Sequence, residues 1–334
     1  MEVMNYPLVH YLRNFPLRYY VSGGLIARDE PSLLFFLSAD ATSVLVVRRG
    51  RAVAYEDKIG EMADHPPIPV GPGASSITAK TFMVKLFARY RLHGSPKIVL
   101  VPDFGAEDFY CNIHNVKNLR DYSVEGLLES LHEEPRQVIG VWDDTREFRW
   151  SILGADLQPV SGRIDRQHSR LMVLGIPQEY CADSEAWVEA QHGSLLGIVP
   201  APIACLRWFL ERIPLGQRIG FLVLLLNHVI VIAAVQNQTV TLIRQYENDI
   251  DFVEKELATI ASELGANERP YICVWSASQS PKLWASRFRG LALDDEALEK
   301  IHGSELIIRN GDGTHQEIAD PRAFLLMWLE SEII

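Results

Sequence analysis

The stretch SLLFFLSADATSVLVVRRGRAVAY, residues 32–55, contains three short apolar runs separated by polar or glycine-containing turns. The runs cover residues 33–38, 44–48 and 52–55. Strands of this length joined by tight turns are typical of an antiparallel β-meander. We therefore predict that this stretch folds as three strands and starts a sheet.

The second half of the chain repeats this arrangement. Apolar runs at 221–226, 229–235 and 239–244 predict a second meander, which a helix at 249–264 and a strand at 271–275 follow. In the first half, a helix at 76–92 and a strand at 97–101 occupy the same places. This weak internal duplication predicts two lobes of mixed sheet with helices on their faces.

The remaining elements follow from local patterns. Apolar runs predict strands at 109–114, 137–142, 148–153, 171–176 and 195–199. Helical spacing predicts helices at 123–133 and 184–193, capped by Ser123 and Ser184, and at 201–213 and 321–329. The turn sequence 310–313, NGDG, predicts a hairpin between strands at 305–308 and 315–318.

Composition excludes several classes of protein. The chain has 334 residues, 48% of them hydrophobic, so its net charge of −11 does not indicate disorder. That charge argues against a general binder of nucleic acid or of anionic membranes, although a local basic patch stays open. Four widely spaced cysteines and a start without a signal peptide predict a cytoplasmic protein with free thiols.

Residues 219–235, IGFLVLLLNHVIVIAAV, resemble a membrane span. They fall short of the ~20 residues that a spanning helix needs. Asn227 and His228 also interrupt the apolar run at its centre. We predict two buried strands joined by a tight turn at these two residues, and no direct membrane span.

Other possible chemical sites have simpler interpretations. The string 71–76, GPGASS, is interpreted as a loop and helix cap rather than an anion site. Asp143 and Asp144 fit a solvated turn better than a metal or acid–base pair. The ten histidines are scattered without ligand spacing, and no nucleotide or zinc-protease motif occurs.

Four consecutive segments carry a resemblance to a known family: MVLGIP (172–177), SEAWVEAQHG (184–193), LLGIVP (195–200) and APIACLRWFL (201–210). Their order, with the helix–strand–strand–helix order of residues 76–135, is similar to the actin-like ATPase superfamily. Within it, residues 32–288 resemble the PilM-like and GspL-type cytoplasmic proteins of type IV pilus and type II secretion machines.

The resemblance implies an α/β, two-lobed actin-like fold, a duplicated RNase H-like fold with a small subdomain inserted in the first lobe. It implies an N-terminal extension at 1–30, a first lobe at 31–168 with the inserted subdomain at 76–135, and a second lobe at 169–334. The C-terminal helix is placed where it could pack back on the first lobe.

In this superfamily, hairpin loops of the form D-x-G-x-[ST]-[ST] hold the phosphates, because glycine lets backbone amides approach them. Aligned on this pattern, the first loop has Ser38 at the acidic position and Asp40 at the glycine position, followed by Thr42 and Ser43. A carboxylate at the glycine position repels phosphate.

The other two nucleotide loops also depart from the pattern. The second loop has Asn227 and His228 without aspartate or glycine, and the third has Ser276 and Ser278 where two glycines are expected. We therefore predict a degenerate nucleotide site with no catalytic residue, no cofactor and no metal. The alternative is an active actin-fold ATPase or small-molecule kinase that uses Asp40 with ATP and Mg²⁺.

The resemblance also implies partners. In the family, a cytoplasmic peptide of an inner-membrane assembly protein lies between the first lobe and its subdomain, and an assembly ATPase is a further contact. By position, the walls of this partner groove are Phe82, Leu86, Tyr90, Phe109 and Cys111. The predicted function is a non-catalytic scaffold that associates with the membrane through a partner; an unrelated two-domain α/β protein is the third hypothesis.

Overall fold

The computed structural model describes residues 31–38, 42–49, 51–56, 76–104, 108–115, 123–133, 145–153, 170–210, 219–226, 229–236, 239–247, 250–264, 270–276, 306–309, 315–318 and 320–333. Among these residues, no helix combines the length and apolar character that a membrane span requires. The N-terminal extension and the predicted strand at 137–142 lie outside the described residues.

The described elements alternate between strands and helices. In chain order they are β1 (Ser32–Leu37), β2 (Thr42–Arg48), β3 (Arg51–Glu56), α1 (Ser76–Tyr90), β4 (Lys97–Pro102), β5 (Tyr110–Asn115), α2 (Val124–Glu133), β6 (Arg146–Leu153), β7 (Arg170–Pro177), α3 (Gln178–Ala190), β8 (Ser194–Ile198), α4 (Ala201–Leu210), β9 (Ile219–Leu225), β10 (Val229–Gln236), β11 (Thr239–Glu247), α5 (Ile250–Glu263), β12 (Tyr271–Ser276), β13 (Leu306–Arg309), β14 (His315–Ile318) and α6 (Pro321–Ile333).

The first sheet has five strands in the order β3-β2-β1-β4-β8. The predicted meander supplies the antiparallel part, and β4 and β8 continue it in parallel. Every residue of β1 is buried, which explains its uninterrupted apolar sequence: a central strand covered on both faces has no polar side.

The second sheet repeats the plan with four strands in the order β11-β10-β9-β12. Strand β12 lies parallel to β9, and the other pairs are antiparallel. The predicted tight turn between the first two strands is confirmed, because the Leu226 amide donates to the Val229 carbonyl at 3.0 Å. The apolar run at 219–235 is therefore a buried hairpin.

A small antiparallel sheet, in the order β5-β7-β6, is not hydrogen-bonded to the two larger ones, although β5 packs against β11 of the second sheet. Gly175 on β7 pairs with Phe148 on β6, whose ring covers the glycine so closely that a Cβ there would lie 2.8 Å from a ring carbon. A side chain at this position would collide with the ring, which explains the glycine within the strand.

The pairing corrects the predicted position of two strands. Both 171–176 and 195–199 were predicted to open the second lobe, yet β7 joins the small sheet and β8 joins the first sheet beside β4. Pairing between strands distant in sequence depends on how the connecting helices pack, and short apolar runs carry no signal for it.

The layers alternate between helices and sheets. On one face of β1, Phe35 makes an edge contact with Trp187 of α3, at 5.8 Å between ring centroids. On the other face, Phe36 lies 5.9 Å from Trp275 of β12, in the second sheet. Helices α4 and α6 occupy the layer between the two sheets, and α6 packs on β1 and β2.

Helix α5 covers the outer face of the second sheet. Its residues Val253, Leu257 and Ile260 form a separate cluster with alternate residues of β9 and β10, such as Phe221 and Ile230. The intervening residues of the same strands face the inner layer. The result is a helix–sheet–helix–sheet–helix arrangement, which follows from strands with two apolar faces.

The predicted N-cap of one helix is confirmed, and that of another is wrong. The predicted cap of α2 is confirmed, since the Ser123 hydroxyl oxygen accepts the Gly126 amide at 3.0 Å. Ser184 is not a cap: α3 starts six residues earlier, directly after Pro177, and Ser184 is buried within the helix. The sequence marks the start of α3 with Pro177, and the prediction of Ser184 as its cap is wrong.

Candidate functional site

The candidate site lies at the carboxyl ends of the parallel strands, where α/β sheets usually bind ligands. The Asp103 amide donates to the Leu37 carbonyl at 2.7 Å and so joins the ends of β4 and β1. The Val199 amide donates to the Leu100 carbonyl at 2.8 Å and brings in the end of β8. Three strand ends therefore form one edge.

The first hairpin closes tightly at this edge. Leu37 pairs with Thr42, and Ser38, Thr42 and Ser43 are all buried, Ser43 completely. Asp40 lies outside the described residues. Ser43 shares a sheet face with Tyr55 and is a hydrogen-bond partner of its hydroxyl. The Ser43 hydroxyl therefore takes part in the packing of the inner layer.

Tyr55 connects the first sheet to the last helix. Its hydroxyl donates to Asp320 Oδ2 at 2.6 Å. Asp320 also accepts the Arg322 amide at 2.8 Å, as an N-cap does, and pairs with the Arg322 guanidinium at 2.9 Å. Burial, followed by the Asp320 charge, raises the pKa of Tyr55 well above its ordinary value. The hydroxyl is therefore neutral and a fixed donor.

Asp103 is the residue that the sequence analysis missed. It directly follows β4. Burial strongly raises the pKa of the Cys205 thiol on α4, and the charge of the nearby Asp103 carboxylate raises this pKa as well. Cys273 on β12 also raises the pKa of the Cys205 thiol. The carboxylate thus belongs to the layer between the sheets. An acidic residue immediately after a buried parallel strand is a signal that could have identified it.

The second loop is a two-residue turn, and the third lies outside the described residues beyond Ser276. Only Asn227 and His228 separate the hydrogen-bonded Leu226 and Val229, and both lie outside the described residues. Ser276 ends β12 opposite Leu225, and Ser278 lies beyond the described residues. A two-residue turn offers few backbone amides to phosphate.

These observations test whether the site suits a nucleotide with Mg²⁺. Asp103 supplies one carboxylate, and Mg²⁺ sites commonly use one or two together with substrate phosphates. Within the described ranges, no group of three histidine, cysteine, aspartate or glutamate residues could hold a metal ion. The described residues thus offer one carboxylate at this edge, and the loop residues 39–41, 227–228 and 277–278, whose amides would hold phosphate, lie outside them.

The predicted partner groove is largely closed. Leu86 and Phe109 are each 2% exposed, and Cys111 is also buried in the same core. Phe109 stacks on Phe104, which makes an edge contact with Tyr180 of α3 at 4.9 Å. Three of the five residues therefore form packing between α1, β5 and α3. The side chain of Phe82 lies outside the described part of the chain.

Tyr90 stands at the rim of this packing. Its hydroxyl donates to the Glu56 carboxylate, which also pairs with Arg89 at 3.0 Å. Burial, then the hydrogen bond to Glu56, raises the pKa of Tyr90 to about 12. On the solvent-facing side of the same helix, Val84 is 65% exposed. The outer flank of α1 therefore offers an apolar surface that the residue pattern did not identify.

Comparison with known proteins shows that the fold of this chain is similar to that of several solved structures. No family model matches the chain, and no curated protein matches it by sequence. The solved PilM–PilN type IV pilus biogenesis complex is 11% identical with a TM-score of 0.55, over 92% of this chain and all of that one. A Bacteroides thetaiotaomicron protein of actin-like ATPase fold and unknown function is 13% identical, with a TM-score of 0.48, over 82% and 96%.

A third solved structure, MreB5 of Spiroplasma citri bound to ADP, is 10% identical, with a TM-score of 0.31, over 92% of this chain and 77% of that one. The sheet orders and the likeness to the PilM–PilN complex define the class: this chain has the α/β actin-like fold. The predicted fold class is thereby confirmed.

Proposed function

We propose that the chain is a non-catalytic actin-like scaffold on the cytoplasmic side of a type IV pilus or type II secretion apparatus. It binds a cytoplasmic peptide or subunit of an inner-membrane assembly protein. The observation that carries the proposal is the first hairpin, where Ser38, Thr42 and Ser43 are buried and Ser43 faces Tyr55. Residues packed in this way are not available to hold phosphate.

The short second turn supports the same proposal. A phosphate cradle uses exposed amides from both hairpins, and here the second turn contains two residues between hydrogen-bonded positions. The likeness of fold to the PilM–PilN complex supports the choice of apparatus. A role at the membrane then comes from the partner, and an assembly ATPase is the second proposed contact.

The outer flank of α1 is the proposed docking surface for the partner peptide. Val84 is exposed there, and the exposed Lys85 and Arg89 lie along one side of it, with Arg89 paired to Glu56. Tyr90 lies on the core-facing side of the same helix. A peptide with an apolar side chain beside acidic residues would match this surface, since the apolar contact provides affinity and the charges provide orientation.

The docking experiment uses the full chain and fluorescent peptides that cover the cytoplasmic N-termini of inner-membrane assembly proteins from the same organism. We expect saturable binding by one peptide, and Val84→Asp should weaken it about tenfold, as a central interface residue does. Phe252→Asp is the matched control, because Phe252 is also an exposed apolar residue (43%) but lies on α5. Equal effects of both variants would contradict this docking surface.

The second candidate is an active ATPase or kinase, and Asp103 favours it. Asp103 stands at the edge formed by β1 and β4, and a second carboxylate from Asp40 would complete a pair for Mg²⁺. This candidate predicts measurable turnover of ATP that both Asp40→Ala and Asp103→Ala abolish without loss of fold. Absence of turnover in the unmodified chain would end it.

A further inference from the structure

Three residues other than glycine have a positive φ among those that the structure describes. They are Arg49 at 53°, Arg91 at 50° and His192 at 55°. This conformation favours glycine, because a Cβ crowds the neighbouring backbone. Backbone strain of this kind, where it is observed, is a reason to ask what function the side chain serves.

At each of these positions, another residue type would adopt the same backbone conformation with less strain. Arg49 begins a two-residue turn closed by the pair Arg48 and Arg51, where asparagine followed by glycine is preferred. Arg91 and His192 follow α1 and α3 as the residue that is usually glycine in this type of helix end. The helix ends are defined by 3.0 Å bonds from Leu92 to Phe87 and from Gly193 to Val188.

The three positions lie at one end of the first sheet. Ser32, the first residue of β1, pairs with Val47 and Lys97, and Lys97 pairs with Ser194. The Ser95 hydroxyl donates to the His192 carbonyl at 2.6 Å and joins the two helix ends. Adjacent strands are ~4.8 Å apart, so β2 and β8 lie about 15 Å apart at this end of the sheet.

We call this surface the basic pole. Its members are exposed and carry a basic side chain, and they are Arg48, Arg49, Arg51, Arg91, His93 and His192. Within the described part of the chain, Arg48, Arg51 and Arg91 have no carboxylate partner. Glu189 is an exposed carboxylate in the last turn of α3. Asp29 and Glu30, which precede Pro31 in sequence, lie outside the described residues.

The basic pole opposes the charge of the whole molecule, which is −11. An anionic surface would therefore repel most of the protein and attract this end. Such a distribution orients a protein as well as binding it. The effect operates over about one Debye length, ~10 Å at 0.1 M salt, so the pole must approach the surface closely.

We propose that the basic pole docks directly on a membrane surface of anionic lipid headgroups. The exposed arginines lie at a hairpin tip and at the end of a helix. Exposed cations at such ends can contact a plane of phosphates together, whereas an acidic peptide is usually enclosed by a groove. This contact goes beyond the proposed partner-mediated association, because it requires no other protein.

The test is sedimentation of the full chain with vesicles of 30% phosphatidylglycerol in phosphatidylcholine, against pure phosphatidylcholine vesicles, at 50 and 300 mM NaCl. We expect binding to the anionic vesicles that falls at high salt. Each arginine removed should weaken partitioning about fivefold. Arg49→Asn and Arg91→Gly suit this purpose because they remove charge and also relieve backbone strain, so their thermal midpoints should not fall.

Lys255→Gln is the control, since it removes one exposed positive charge from α5, away from the pole. It should leave vesicle binding unchanged. The proposal is overturned if the unmodified chain does not sediment with anionic vesicles at 50 mM NaCl, or if the double variant binds them equally well. It is also overturned if a polyglutamate peptide binds the chain more tightly than the vesicles do and the double variant abolishes that binding, because the pole would then serve an acidic protein.

Discussion

The hydroxyl of Tyr55, on an edge strand of the first sheet, donates a 2.6 Å hydrogen bond to Asp320 at the start of the last helix, 265 residues further along the chain. Asp320 also caps that helix and pairs with Arg322. One carboxylate therefore holds both the helix start and its attachment to the first sheet. The last element of the chain stabilises the sheet that forms from its beginning.

Loss of this hydrogen bond should destabilise the whole fold. We expect Tyr55→Phe to lower the free energy of unfolding by about 1–2 kcal/mol, because the partly buried Asp320 loses a donor. Urea denaturation measures the change. Tyr246→Phe is the control, since it removes a similar bond to Glu256 at 2.7 Å on the outer layer and should cost less. A larger loss in the control would contradict the central place of Tyr55.

Gly175 should not accept a side chain. A Cβ at this position would lie 2.8 Å from a ring carbon of Phe148, so Gly175→Ala is expected to cost about 1–3 kcal/mol in unfolding free energy. Phe148→Leu in the same background should recover part of this loss, because the smaller side chain makes room. If the alanine variant unfolds like the parent, the close packing of these two residues is wrong.

Four tyrosines with raised pKa values, Tyr55, Tyr90, Tyr180 and Tyr246, make stability depend on alkaline pH. Burial, followed by hydrogen bonds to glutamates, raises the pKa of Tyr90 and of Tyr246 to about 12, and burial raises that of Tyr55 further. A raised pKa stabilises the fold below the unfolded value of about 10, and the benefit is lost as pH rises through the folded value. Unfolding free energies should therefore decrease steadily above about pH 10.

The measurement is urea denaturation between pH 8 and pH 11.5. Replacement of both Tyr55 and Tyr90 by phenylalanine should flatten the decline, since these groups no longer lose a proton on unfolding. An unchanged slope in the double variant would show that other groups control alkaline stability.

Glu256 makes the free energy of unfolding depend on pH in the acid range, in the opposite direction. It accepts the hydroxyl of Tyr246 and pairs with Arg244, and the Tyr246 hydrogen bond is the main cause that lowers the pKa of this carboxyl. A lowered pKa stabilises the fold above the unfolded value, and this is lost as pH falls through the folded one. Glu256→Gln should cost about 0.5–1 kcal/mol at pH 7, since the pair is partly exposed.

This difference between Glu256→Gln and the parent should decrease as pH falls below the ordinary carboxyl range, because the unfolded state then binds a proton before the folded state does. Parallel denaturation series at pH 7 and pH 3 measure it. A difference that persists unchanged at pH 3 would mean that shape, and not charge, accounts for the effect.

Local patterns predicted much of the fold. The two meanders, α1, α5 and the hairpin of β13 and β14 follow from periodicity and turn residues, and the structure places them within a few residues. The sheet membership of β7 and β8 could not be predicted, because both are short apolar runs and their partners are distant in sequence. Pairing of this kind is decided by tertiary packing.

The site was predicted less well than the fold. The alignment of the first hairpin placed Ser38, Thr42 and Ser43 in a nucleotide loop, but their burial and the contact of Ser43 with Tyr55 are tertiary properties that the alignment does not contain. Leu86 and Phe109 were predicted as groove walls and are core residues, because an apolar side chain suits both roles. Asp103 was overlooked, although its place directly after a buried parallel strand is a signal that could have identified it.

Equilibrium binding of labelled ATP with Mg²⁺ to the full chain tests the account most directly. A scaffold without a phosphate cradle predicts no saturable binding up to millimolar nucleotide, and no change when Asp103 is replaced by asparagine. Saturable binding in the micromolar range that Asp103→Asn abolishes would contradict the proposed scaffold role and establish a working nucleotide site.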